Sequence, residues 1–305
     1  MKLIAGSRGS ALALRQTNWA IEKLKHTNPD LEIEVIIIKT KGDKILDVPL
    51  AKIGDKGLFV KELEVALLNH EIDFAVHSMK DLPVNMPAGL CIAAVPERTD
   101  PSDVLVTKGL RLTDLPPMAR IGTSSVRRKA QLYAYRADLC ITPLRGNLDT
   151  RLRKLDEGEY DGIIVAYAGL YRMGWIDRIT EKLSPEVCLP AAGQGALAIQ
   201  ARSDDKKTLE LLQTLDDHSS HLAILAERSF LEALGGGCQI PIGVLGEVKG
   251  DDLTLSGVVV SPDGRHIVRN SITGNAKNAI SIGQELAQIL LASGAEDILN
   301  LYESS

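Results

Sequence analysis

Long apolar runs, paired cysteines and nucleotide-binding glycine loops are all missing from this chain of 305 residues. No segment approaches the roughly 20 consecutive apolar residues that a membrane-spanning helix needs, so such a helix is excluded. The opening Met-Lys-Leu-Ile-Ala-Gly-Ser-Arg lacks the apolar core of about 7–15 residues found in a secretory signal, and a cytoplasmic location is the expectation. The four cysteines, Cys91, Cys140, Cys188 and Cys238, lie far apart, with neither Cys-x-x-Cys spacing nor a zinc-like cluster. Free thiols are therefore expected, as in a reducing compartment. Cys91 in GLCIAAV and Cys140 in DLCITPL read as buried small hydrophobes, and Cys188 in EVCLP as structural. The net charge of −5 gives no reason to expect nucleic acid as a partner. The absence of a Gly-x-x-x-x-Gly-Lys-Ser/Thr pattern removes support for a nucleoside triphosphate. No metal site is indicated.

What is present is an ordinary globular composition, 45% hydrophobic and 25% charged, at a length that favours two or three domains. Over the first 200 residues strand-like and helix-like segments alternate. LIAGS, EIEVIIIKT, DFAVHS, DVLVT, ARIGT and LCITPL read as strands. SALALRQTNWAIEKLKH, GLFVKELEVALLNH, SVRRKAQLYAYR and NLDTRLRKLDEGE read as helices, and YDGIIVAYAGL as a strand running into a helix. This alternation predicts α/β sheets covered by helices. Pro96–Pro101 and Leu189–Arg202 read as crossovers that pass the chain to a second lobe and back. The expected division is residues 1–98 with 196–216 as the first lobe, and 99–195 as the second. After the helix SSHLAILAERSFLEAL come PIGVLGEV, LTLSGVVVS and RHIVRNSITG, joined by Gly-Asp-Asp and Pro-Asp-Gly turns. Consecutive strands without helices between them predict an antiparallel three-stranded sheet, so residues 217–305 form a separate α+β domain. IAGSRGSALALRQ and RIGTSSVRRKAQL echo each other, each a short strand, a Gly with small hydroxyl residues and Arg, and then a helix.

Between Arg120 and Lys154 nine Lys or Arg face two acids, a local balance of +7. Lys129, Arg153 and Lys154 fit a solvated helix face. Gly122, Thr123, Ser124 and Ser125 instead place hydroxyls and free backbone N–H groups at a helix start, where an anion is favoured. Arg127 and Arg128 follow in the first turn, where positive charge is unfavourable for the helix itself, and that cost points to an anion bound there. Arg145, Gly146, Asn147 and Arg151 in LRGNLDTR repeat the logic, as do Arg8 and Ser10 in GSRGS. Arg suits a bidentate grip on carboxylate or phosphate. His77-Ser78-Met79-Lys80-Asp81 follows a strand, at the end where open α/β sheets bind ligands. Asp81 beside Lys80 is either an exposed ion pair or a carboxylate that stabilises a cation and shuttles a proton. His77, His218 and His221 read as structural or surface residues. The Leu50–Glu62 segment, with Lys52 and Lys56, reads as a loop entering a helix.

Cys238 stands apart from the other cysteines. Gly235, Gly236 and Gly237 clear every side chain from one of its flanks, so the thiol is open to a large group, as a nucleophile or as an attachment point. A cysteine hydrolase needs a base to ionise the thiol, and none can be assigned from sequence order. A non-catalytic two-lobed anion-binding protein explains the lobes and arginines but not Cys238 or the last domain.

In order and spacing, HSMKDLP, GTSSVRR, LRGNLDTR, LPAAGQGALAI, LAERSFL and GGGCQIPIG resemble porphobilinogen deaminase, also called hydroxymethylbilane synthase, over nearly the whole chain. The resemblance implies two lobes like those of periplasmic binding proteins and a third α+β domain with a three-stranded antiparallel sheet. It implies a transferase of tetrapyrrole and haem biosynthesis that joins four porphobilinogen molecules head to tail, releasing ammonia at each step. The substrate and the growing oligopyrrole chain are the implied partners. It also implies a dipyrromethane cofactor held by a thioether, at the position of Cys238. The essential aspartate falls on Asp81. Lys80, Ser125, Arg127 and Arg128 fall on cofactor contacts. Arg8, Ser10, Thr123, Arg145, Arg151, Arg172 and Gln194 fall on substrate contacts. A monomer is expected. Each porphobilinogen ring brings an acetate and a propionate, which suits several arginine-bearing helix starts. Loss of ammonia leaves a cation that a carboxylate stabilises.

Overall fold

The structure is a computed structural model that describes residues 2–44, 57, 59–236 and 240–303. Cys238 lies outside the described residues, as do Gly237, Lys52 and Lys56. The chain separates into two compact units, residues 1–99 with 196–221 and residues 100–195 with 222–305. No described helix is long and apolar enough to cross a membrane.

The first unit is built on a five-stranded sheet. Its strands are β1 (Lys2–Ser7), β2 (Glu32–Ile37), β3 (Phe74–Ser78), β4 (Leu90–Ala94) and β10 (Leu197–Arg202), in the order β2-β1-β3-β10-β4. The first three run parallel, and β10 runs antiparallel to both β3 and β4. Strand β10 is buried at every position, which fits a central strand covered on both faces. Helix α1 (Ala11–Thr27) turns Ala20, Ile21 and Leu24 onto one face, against Leu3, Phe74, Val76, Leu197 and Ile199. Helix α2 (Lys61–Leu68) packs Leu63, Ala66 and Leu67 against Ile72 and Ala75 in a second cluster.

The second unit holds two sheets. The first contains β5 (Asp103–Thr107), β6 (Arg120–Gly122), β7 (Cys140–Thr142), β8 (Gly162–Ala166) and β9 (Glu181–Lys182), in the order β7-β6-β8-β5-β9. Strands β6, β7 and β8 are parallel and β5 is antiparallel. This is the plan of the first unit's sheet repeated: second strand, first, third, returning antiparallel strand, edge. The echo noted in sequence is therefore a repeat of topology. It extends to a shared anchor. Asp73 Oδ2 accepts from the Ile4 amide at 2.7 Å in one sheet, and Asp161 Oδ2 from the Arg120 amide at 2.7 Å in the other. The alternating sequence pattern does not show that β5 and β10 run backwards. Both follow a crossover rather than a helix of their own sheet, which removes the handedness constraint on parallel strands.

The second sheet of this unit is antiparallel, β11 (Ile242–Lys249), β12 (Asp252–Val260) and β13 (Ile267–Asn275), as expected from consecutive alternating runs joined by turns. Helices α7 (His218–Ala233) and α8 (Ala279–Leu290) supply Ala226, Phe230, Ile282, Leu286 and Leu290 to its core. On strand β12, Leu253, Leu255 and Val259 enter that core, whereas Val258 and Val260 pack on the opposite face with Ala130 and Leu189.

Two of the cysteine readings need correction. Cys91 and Cys140 are half-buried, because β4 and β7 are edge strands with one side uncovered. Cys188 is buried, as expected.

Candidate functional site

In the first unit, the C-terminal ends of the parallel strands carry the predicted residues. Strand β1 ends at Ser7, and Arg8 and Ser10 follow before helix α1. Ser10 is the cap of that helix, accepting from the Ala13 amide at 3.3 Å. Strand β3 ends at Ser78 and runs into a single 3₁₀ turn, Met79–Asp81. The parallel pairing of β1 with β3 puts these two ends side by side. Arg8, Ser10 and Asp81 therefore line one open pocket. Four of its other lining residues, Gln16, Phe59, His77 and Ser78, were not picked out as ligand contacts by sequence reasoning. The Arg8 guanidinium lies over the Phe59 ring, 4.3 Å from its centroid, which fixes the planar cation against an aromatic face. Gln16 donates to Ser78 Oγ at 2.9 Å and so links helix α1 to the exit of β3. Lys80, half-buried on the 3₁₀ turn, is not among the pocket's lining residues.

In the second unit, Thr123 and Ser125 stand where β6 gives way to helix α3 (Val126–Tyr135). Thr123 Oγ1 accepts from the Ser125 amide at 3.2 Å, and Ser125 Oγ caps the helix by accepting from the Arg128 amide at 3.4 Å. Ser124 Oγ donates to the Leu144 carbonyl at 2.8 Å, joining this turn to the exit of β7, where Arg145 and then Arg151 of helix α4 (Leu148–Asp156) follow. Arg151 Nε donates to the Gly146 carbonyl at 2.8 Å.

Arg127 and Arg128 both turn inward. The anion that the sequence argument left to a ligand is here, at least in part, the chain's own Asp103, at the start of β5. Arg127 Nη1 donates to Asp103 Oδ2 at 2.6 Å and to the Leu189 carbonyl at 2.7 Å. Arg128 donates to Asp103 Oδ1 from Nη2 at 2.6 Å and from Nε at 2.9 Å, and to the Ile164 carbonyl at 2.9 Å. Gln194 Nε2 completes the cluster, donating to Asp103 Oδ1 at 2.9 Å and to the Pro101 carbonyl at 2.7 Å. Gln194 is held between Gly193 and Gly195, whose positive φ angles of 72° and 90° would strain any residue with a side chain. Burial opposes ionisation of Asp103, but the two guanidinium charges more than offset it and hold the carboxyl well below the usual range. Burial, with Asp103 beside it, pushes the Cys188 thiol up to about 12. Two guanidinium groups against one carboxylate leave the cluster one positive charge in excess.

Arg172, on helix α5 (Tyr167–Met173) after β8, donates to the Gly195 carbonyl at 2.7 Å. Burial pushes its guanidinium down to about 10. The described residues reasoned from sequence thus fall in two groups, Arg8, Ser10, Lys80 and Asp81 in one unit and Thr123, Ser125, Arg127, Arg128, Arg145, Arg151, Arg172 and Gln194 in the other. In the second unit, Asp103 is the residue that sequence reasoning missed. Its only signal was an acid opening an otherwise apolar strand, DVLVT. Among the described residues, no group of His, Cys, Asp and Glu could hold a metal ion.

Comparison with known proteins bears on this arrangement. The family model for the porphobilinogen deaminase dipyromethane cofactor binding domain matches residues 3–210, and that for the porphobilinogen deaminase C-terminal domain matches residues 221–292. Porphobilinogen deaminase of Carboxydothermus hydrogenoformans is 54% identical over 299 residues, covering 98% of this chain and 96% of that one. Those of Nostoc sp. and Bacillus subtilis are 53% and 51% identical, covering 97% of this chain in each case and 93% and 94% of theirs. Among solved structures, a methionine binding protein matches 70% of this chain and 89% of its own at 12% identity, with a TM-score of 0.45. A periplasmic solute binding protein from Desulfovibrio salexigens matches 71% and 72% at 13% identity, with a TM-score of 0.42. Sequence identity over nearly the full length, with both domain models in register, shows that the chain belongs to the porphobilinogen deaminase family, transferases of tetrapyrrole biosynthesis that carry a dipyrromethane cofactor.

Proposed function

We propose that the chain joins four porphobilinogen molecules head to tail into hydroxymethylbilane, with Asp81 as its acid/base and cation-stabilising residue. The observation that carries this reading is that Asp81 shares one pocket with Arg8 and Ser10. A substrate bearing two carboxylates and an aminomethyl group needs a cation for the former and an anion for the latter, close together. Asp81 stabilises the positive charge left on the substrate as ammonia leaves, then takes the proton released when the ring regains aromaticity. Arg8 and Ser10 orient the substrate's carboxylates.

The dipyrromethane group, when bound, would supply the free terminal pyrrole carbon that the first incoming ring joins. The chain's own residues fit it. The excess positive charge of the Arg127–Arg128–Asp103 cluster, at a Ser125-capped helix start, suits an organic polycarboxylate. Cys238 is its attachment atom in this reading, with Lys80, Ser125, Arg127 and Arg128 holding its carboxylates. Thr123, Arg145, Arg151, Arg172 and Gln194 then bind the acetate and propionate groups of incoming rings. Residues 1–98 with 196–216, 99–195 and 217–305 act as three functional domains, the last carrying the cofactor, in a cytoplasmic monomer.

Intact-protein mass spectrometry tests the anchor. Wild-type protein should carry a mass equal to two linked pyrroles, absent from Cys238→Ser; unmodified and fully active wild-type protein would overturn it. Asp81→Ala should keep its fold and lose turnover, and near-normal product formation would remove Asp81 from this role.

A further inference from the structure

A buried polar chain runs from the Asp81 pocket into the first unit, and the mechanism above does not use it. His77, on β3, places Nε2 3.0 Å from Gln200 Oε1 on β10. Gln200 Nε2 donates to Glu64 Oε1 of helix α2 at 3.1 Å. All three are more than nine-tenths buried. The strand alternation explains their meeting. Ala75 and His77 share the face of β3 that α2 covers, and the antiparallel register pairs them with Gln200 and Ala198.

This chain fixes a tautomer. The Gln200 amide turns its NH₂ toward Glu64, donating to Oε1 at 3.1 Å. Gln200 Oε1 then faces His77, and His77 must donate through Nε2–H. Its Nδ1 keeps a lone pair. His77 lines the pocket with Arg8, Ser10 and Asp81, and among the described residues no protein group bonds Nδ1. The imidazole is also kept neutral. Burial, chiefly, and then the Arg8 charge push it down to about 4, against the opposing hydrogen bond to Gln200. The charged groups around it are Arg8 and Asp81 on the pocket side, and Glu64 through Gln200.

We propose that His77 is a substrate-binding residue whose Nδ1 accepts a hydrogen bond from the ring N–H of a pyrrole, with Gln200 and Glu64 as the positioning residues that hold it in that tautomer. The donor is the ring N–H rather than the ammonium of the substrate, because Arg8 stands close enough to His77 to repel a cation, and Asp81 is the better partner for one. A neutral acceptor suits a neutral donor. The inference rests on reading the Asp81 pocket as the place where porphobilinogen binds.

Two measurements on the holoenzyme test it. Histidine-selective ¹⁵N NMR, with His77 assigned by comparison with His77→Gln, should show Nε2–H and a bare Nδ1 that does not titrate above about pH 5. A proton on Nδ1, or titration near 6.5, overturns the proposal. The second measurement is the affinity of two unreactive rings bearing the same acetate and propionate, one a pyrrole and one a furan. Wild type should bind the pyrrole about tenfold more tightly, the worth of one hydrogen bond. His77→Gln keeps the bond to Gln200 and should bring the two affinities together. His77→Asn, whose Oδ1 stands near the position of Nδ1, should restore part of the difference. If Arg8→Leu weakens both rings but His77→Gln leaves their ratio at the wild-type value, the pocket is right and His77 is idle. If neither variant changes any affinity, the pocket reading itself fails.

Discussion

At Asp103 one carboxylate faces two guanidinium groups, with side-chain exposures of 0%, 5% and 7%. A carboxylate buried so deeply is tolerable only because it is paired, and the arginines depend on it in turn. Asp103→Asn should destabilise the protein by about 3–5 kcal/mol at neutral pH, since it leaves two buried cations facing a neutral amide. The native carboxyl titrates below the unfolded value of about 3.9, so the unfolded chain takes up the proton first as pH falls. The stabilisation is complete above about pH 5, falls away below about pH 4, and should be missing at every pH from Asp103→Asn. Urea midpoints measured between pH 3 and 7 check both statements; a wild type and variant with parallel pH curves would contradict them. Arginines in a helix's first turn were legible as an anomaly in the sequence. The partner was not, because it lies 24 and 25 residues upstream and only the pairing of β5 with β8 brings it near.

Among the elements, helices α1 and α3 begin alike, with Ser10 and Ser125 each accepting from the amide three residues on. Ser10→Ala and Ser125→Ala should each cost about 1 kcal/mol, read as a fall in the thermal midpoint. If Ser125 also touches a ligand carboxylate, only its variant should in addition lower the loading of the cofactor, measured as adduct mass. These helices were readable from caps and apolar spacing. Strand direction was not, since a run such as LAIQAR looks the same whichever way it runs. Gln200 inside that run was a visible irregularity, a polar residue where burial is complete, yet its partners Glu64 and His77 are separated from it by 136 and 123 residues. Edge position was equally hidden, and this is why Cys91 and Cys140 are less covered than their apolar neighbours imply.

For the molecule as a whole, Glu227 is the joint within the second unit. Buried on helix α7, it accepts from the Gly193 amide at 2.7 Å and from the Gly246 amide at 2.8 Å, tying the crossover that carries Gln194 to strand β11. Glu227→Ala leaves two buried N–H groups without acceptors and should cost about 2–5 kcal/mol. Hydrogen exchange should then speed up at residues 189–195 before it does in the β12 core, and uniform protection would argue against the joint. The division into sheets was legible from the change in strand pattern near residue 217, whereas this tie was not, because it rests on one acid in an otherwise ordinary amphipathic helix. The repeated sheet plan has a practical consequence. Aligned on Asp73 and Asp161, position 81 of one sheet corresponds to Gly169 of the other. The chain thus contains a natural blank for its own experiment. A carboxylate introduced as Gly169→Asp sits at the same strand exit without the Arg8 neighbourhood, and it separates what a lone acid can do from what its surroundings make of it.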